Sequence, residues 1–157
     1  MLAENAYQKL LTMTLDAVET ARVQERLLAA VYKQGEASEA AGEVDAAVGH
    51  FMRIARLDPS APLAAQGHFD AVAAIEAAGR VAEAAELLAN FRSLYPGHQL
   101  GQDIDMRLAA MYEQTNNLSA AAQEYIGLSK QAADPVSYTH LRAHETGSGI
   151  SYAVFCL

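Results

Sequence analysis

The chain has 157 residues, with 11 lysines and arginines against 19 aspartates and glutamates, a formal net charge of −8 and one cysteine. An acidic chain without basic clusters repels phosphate backbones, which argues against nucleic acid or an anionic membrane as the main partner. No apolar run approaches the roughly 20 residues of a membrane span, and the opening MLAENAYQK has neither the basic n-region nor the apolar h-region of a signal peptide.

Residues 1–21 place Tyr7, Leu10, Leu11, Leu15 and Val18 at spacings of three and four, which predicts one helical face. Residues 22–41 predict a second helix with Leu27, Leu28 and Val31 on its apolar side. Gly35 interrupts that helix, and an interior glycine costs about 1 kcal/mol against alanine unless a close helix contact uses the missing side chain. Gly42 then ends it in the position following the last helical turn. Helices are predicted over 45–57, stopped by Asp58-Pro59, over 63–78 with Ser60 as cap and Pro62 in the first turn, and over 81–94, stopped by Tyr95-Pro96. Two more follow over 102–115 and 119–132, with a turn at Asn116-Asn117 and Ser119 as N-cap. No stretch shows convincing strand alternation, so the expectation is all-α, with about seven helices.

These elements repeat. The stretch GEVDAAVGHFMRIARLDP at 42–59 is followed 37 residues on by GRVAEAAELLANFRSLYP, and after another 37 by NNLSAAAQEYIGLSKQAADP. The turn residue steps through Gly42, Gly79 and Asn116, the small residue through Ala47, Ala84 and Ala121, and the bulky one through Phe51, Leu88 and Tyr125. A fixed period of this size marks stacked helix pairs. Stepping back 37 from Gly42 reaches Asn5, so residues 6–20 fill the second-helix slot of an incomplete repeat. The division is a partial repeat at 1–21, then repeats at about 22–59, 60–96 and 97–135.

From Val136 the chain reads VSYTHLRAHETGSGISYAVFCL, without the Ala-rich pattern or any helical period. Residues 136–146 resemble one translated frame of a transposase-type sequencing adapter, and 150–157 the flow-cell primer that follows it. The tail is therefore set aside as non-native and expected to be disordered. Cys156, His140 and His144 leave with it, so a disulfide framework, a thiol nucleophile and a cysteine-based metal site are excluded. Arg142 and Glu145 cancel, so the charge of the remainder is still −8.

Residues 22–135 resemble the tetratricopeptide repeat. In that family's second helix a small residue, an aromatic and a proline follow at fixed steps, and Ala47, Phe51 and Pro59 match. Ala84 and Pro96 match in the next repeat, where Leu88 replaces the aromatic. The first-helix pattern is best in the third repeat, at Leu108, Ala109 and Tyr112, whereas Gln34 and Ser38 depart from it. No repeat has the family's early tryptophan, and the period is 37 rather than the usual 34, as in repeat lipoproteins and envelope-associated scaffolds of Gram-negative bacteria. The resemblance implies antiparallel helix pairs stacked in a right-handed α-solenoid, with the first helix of each pair lining a concave groove. Facing that groove it implies Tyr32, Phe69 and Met106 as an apolar ladder and Glu39, Glu76 and Glu113 as an acidic one.

Two readings of those ladders stay open. In one, the groove takes an extended or helical peptide with apolar anchors and at least one basic residue. In the other, Tyr32, Phe69 and Met106 pack between helices and the glutamates form a solvated face. His50, His68 and His98 lack the spacing of a zinc site and are expected to be solvated or hydrogen-bonded. Asp103-x-Asp105 lacks a calcium loop and is expected to place negative charge at a helix N-terminus. No catalytic motif, glycine-rich phosphate turn or cofactor signature is visible. The expectation is a non-catalytic scaffold with a protein or peptide partner, no metal and no cofactor. The alternative is a regulatory or substrate-presenting repeat domain cut from a larger enzyme. Self-association through an uncapped last repeat is a further expectation, since solenoid ends need a polar face.

Overall fold

The structure, a computed structural model of the chain, describes residues 2–98 and 101–132, and the expectations for 136–157 lie outside them. The described residues form seven α-helices and no strand. They are α1 (Leu2–Leu11), α2 (Ala17–Ala40), α3 (Val44–Leu57), α4 (Pro62–Ala77), α5 (Val81–Leu94), α6 (Gly101–Gln114) and α7 (Leu118–Ala132). Each packs against its neighbour in sequence, and α2 also touches α4. The protein is all-α over these residues. No described helix is long and apolar enough to cross a membrane.

The repeating turn has one physical form. At Gly42 the backbone N–H bonds to the Glu39 carbonyl at 2.9 Å and the next N–H, of Glu43, to the Ser38 carbonyl at 2.8 Å. Gly79 and Arg80 make the same pair to Glu76 and Ile75, and Asn116 and Asn117 to Glu113 and Tyr112. This closing pattern satisfies the last carbonyls of a helix and needs a left-handed residue. Gly42, Gly79 and Asn116 supply it at φ of 76°, 77° and 59°. The 37-residue step therefore repeats a backbone conformation as well as a composition.

Three expectations about helix starts are corrected. The first helix does not run through 6–20: α1 ends at Leu11 and α2 begins at Ala17. The Asp16 carboxylate accepts the Glu19 N–H at 2.8 Å while the Glu19 side chain accepts the Asp16 N–H at 3.3 Å. This reciprocal capping box starts α2 five residues earlier than predicted and leaves Val18 68% exposed. Ser60 does not cap α4. Its hydroxyl and N–H bind Asp58, and Ala61 holds the capping position without a side-chain bond. Ser119 lies inside the first turn of α7, where the Asn117 side chain accepts the Ala120 N–H instead.

The core follows the small and bulky positions of the repeat. Ala47, Ala84 and Ala121 are buried, as are Phe51 and Leu88, and small residues at these points let helix backbones approach closely. Tyr125, the third bulky position, is 45% exposed: its hydroxyl turns to Glu113, and α6 is its helix's main packing neighbour. One cluster joins Leu27, Leu28, Val31, Ile54 and Ala64 across α2–α4, and Tyr7 and Leu11 pack on it from α1. A larger one joins Val72, Ile75, Leu88, Phe91, Ile104, Leu108 and Met111 across α4–α6. Phe51, with Ala47 and Ala71, sits between them.

Gly35 makes the contact that its cost requires. A Cβ there would stand 2.6 Å from Phe51 Cδ1, so the Phe51 ring occupies the volume a side chain would need. Gly49, also inside a helix, has nothing within 4 Å of such a Cβ. Gly49→Ala is expected to stabilise the fold by up to about 1 kcal/mol through helix propensity. Gly35→Ala should destabilise it by about 1–3 kcal/mol through overpacking, and adding Phe51→Leu should recover part of that loss. Urea-unfolding midpoints check both signs.

Candidate functional site

The six predicted groove positions lie on α2, α4 and α6, and side-chain contacts link these helices in order. On α2, the half-buried Tyr32 ring rests against Phe51 at 5.4 Å between centroids. Its hydroxyl donates to Asp70 Oδ2 on α4 at 2.6 Å. That bond to a carboxylate holds the phenol in its neutral form and pushes its pKa up to about 12, helped by desolvation and by the negative charges of Asp70, Glu36 and Glu39. Glu39 is exposed.

The junction of α4 with α6 is built differently. Phe69 packs edge-on to Phe91, and the Arg107 guanidinium lies 5.1 Å from the Phe69 ring centroid. The same guanidinium ion-pairs with Glu76. Glu76 is therefore partnered within the chain, whereas an acidic ladder offered to a partner would need it open. On α6, Met106 is 56% exposed, and Glu113 accepts a hydrogen bond from the Tyr125 hydroxyl at 3.1 Å. Arg107 thus brings Phe69 and Glu76 together at the α4–α6 junction, whereas Tyr32 bridges α2 to α4 and Glu39 acts on its hydroxyl through charge from the same helix. Among the described residues neither Met106 nor Glu113 shares a hydrogen bond, ion pair or ring contact with the other four.

Asp70 and Arg107, which complete these two junctions, were not among the predicted site residues. Their signal lies one position beyond the apolar ladder, where the 37-residue step reads Lys33, Asp70, Arg107. A change of sign between equivalent positions marks a place where neighbouring repeats do different things. Glu4 was also missed. It is 8% exposed, ion-paired with Arg53 of α3 and hydrogen-bonded by Gln34 of α2 at 2.9 Å, so it ties α1 to both helices.

The histidines divide. His50 and His98 are part-exposed, whereas His68 is fully buried on α4. The His68 ring meets Phe91 and Tyr95 edge-on, and its Nε2 lies 2.9 Å from the Leu87 carbonyl. A carbonyl only accepts, so Nε2 carries the proton, and Nδ1 has no partner. Among the described residues no group of three His, Cys, Asp or Glu could hold a metal ion. Asp103 lies in the first turn of α6, and Asp105 pairs with Arg92 at 2.8 Å.

Comparison of the chain with protein-family models, with curated proteins and with solved structures gives no match.

Two pH dependences follow from these environments. Burial lowers the His68 pKa below its ordinary 6.5, so as pH falls through 6.5 the unfolded chain takes up a proton that the folded chain refuses. Stability should therefore drop from about pH 6.5 downward until the folded pKa is passed. His68→Gln, which can still donate to Leu87, should flatten that slope in urea unfolding at pH 7.5 and 5.5. For Tyr32 the neutral form is favoured, so its contribution is present below pH 10 and lost as pH rises to about 12. In an ultraviolet phenol titration Tyr32→Phe should remove the step near pH 12.

Proposed function

We propose that the protein is a non-catalytic interaction scaffold of the tetratricopeptide-repeat kind, which binds a segment of a partner protein along the face formed by α2, α4 and α6. In this reading the helix pairs α2–α3, α4–α5 and α6–α7 stack as a right-handed solenoid, and the first helices line its concave side. The observation that carries it is the chain of side-chain contacts from α2 to α4 to α6, Tyr32–Asp70 and then Phe69–Arg107, each joining equivalent positions 38 residues apart. A second set of contacts supports the other layer, since Asp45 of α3 meets Arg80 at the start of α5 and Arg92 of α5 meets Glu124 of α7. Half-buried aromatic rings beside exposed acids suit a peptide that brings apolar anchors and positive charge. The same scaffold could self-associate through α7, on which Leu118, Tyr125 and Ile126 are exposed.

Selection of a random displayed-peptide library against the full chain tests this function. Selected peptides should lose about tenfold or more in affinity on Tyr32→Ala or Met106→Glu, the loss of one good anchor being worth more than about 1 kcal/mol. They should be indifferent to Leu94→Ser, at the far end of α5. Peptides sensitive to Leu94→Ser and indifferent to the groove changes would refute the groove.

A further inference from the structure

The junction of α4 with α6 is a holder for a guanidinium, in which Phe69 supplies the ring, Glu76 the carboxylate, and Arg107 fills it. Stepping each of these back 37 residues gives Tyr32, Glu39 and Asp70. The junction of α2 with α4 therefore keeps the ring and the carboxylate of the same holder but has an acid where the guanidinium is supplied. Glu36 adds a further acid, at the position equivalent to Ala73. Glu36, Glu39 and Asp70 all lie near enough to act on the Tyr32 hydroxyl.

Among the described residues no lysine or arginine is ion-paired with this group. Among the described residues the side chains of Glu36 and Glu39 have neither an ion pair nor a hydrogen-bond partner. Asp70 takes hydrogen bonds from the Tyr32 hydroxyl and the Gln66 amide, both uncharged, and a carboxylate has room for more donors. Lys33, next to Tyr32 on α2, lines the cleft against α1 with Tyr7, Arg26 and Gln34.

We propose that the α2–α4 junction is the docking site for an arginine side chain of the partner, held by Tyr32, Glu39 and Asp70 as Arg107 is held by Phe69 and Glu76. This assignment rests on the groove reading above and names the chemistry of its ligand. Arginine suits the site better than lysine, because a planar guanidinium can lie against a ring while its fork of N–H donors meets carboxylates.

The test is a titration of the isotope-labelled full chain, followed by nuclear magnetic resonance. The probes are acetyl-Leu-Ala-Arg-Ala-Leu-amide and its citrulline counterpart, which has the same shape without the charge. The arginine peptide should shift resonances of Tyr32, Glu36, Glu39 and Asp70, and the citrulline peptide should bind about tenfold or more weakly, as expected for loss of a charge-assisted contact. Asp70→Arg supplies the guanidinium from within, so it should abolish arginine selectivity without lowering the urea midpoint. Should that variant fold poorly, Glu39→Gln should reduce the selectivity alone. Equal binding of the two peptides, with shifts still on α2, α4 and α6, would overturn the arginine site and leave the groove standing. No perturbation of that face by these probes or by the selected peptides would overturn both.

Discussion

Phe51 is the contact on which the rest of the packing depends. Its ring takes the volume above Gly35 on α2, while its carbonyl lies 3.0 Å from where a Cβ of Gly67 on α4 would stand. Ile54 closes the same gap, 3.1 Å from that position. Two glycines thus leave room for α3 against both neighbours, and the cost of an interior glycine, about 1 kcal/mol each in helix propensity, is offset by burial of a large aromatic. Tyr32 rests on the same ring, so the geometry of the candidate site is inherited from this wedge.

Backbone features were legible because their causes are local. A left-handed residue after a helix, a proline beyond it and small residues inward are written within a few positions of each other. Accordingly the predicted 81–94 matches α5, and the predictions for α3, α4, α6 and α7 differ by no more than one residue at either end. The failures at α2 and α7 were also local, but of a different kind. The Asp16-x-x-Glu19 capping box overrides the apolar spacing of 6–20 in setting the start of α2, and Asn117 outcompetes Ser119 as a cap. Tyr125 failed because an equivalent position in a repeat is buried only where a further helix covers it.

The site was less legible, since its decisive features lie between elements. The period located Tyr32, Phe69 and Met106, but nothing within one repeat says that Glu76 pairs with Arg107 31 residues away. Nor does the sequence around His68 tell that it, rather than Phe69 beside it, is the fully buried ring. Helical periodicity assigns a face to each residue only to within about one position in 3.6. Adjacent candidates are separated by packing across helices. Asp70 and Arg107 become visible only when the repeats are laid over one another and compared by charge.

That comparison explains how the chain can leave one junction acidic. The Glu76–Arg107 pair is part-exposed on both sides, and pairs of that kind contribute at most about 1 kcal/mol. Its absence between α2 and α4 therefore forfeits little stability, and the Tyr32–Asp70 hydrogen bond replaces part of it. The apolar contacts below, centred on Phe51, hold the helices whether or not the surface charges are matched. Repetition then supplies equivalent positions at each junction while substitutions at them decide whether the polar groups of the chain meet each other. In this chain the sign of the junction changes with aspartate at 70 against arginine at 107, and glutamate at 36 against alanine at 73 adds to it.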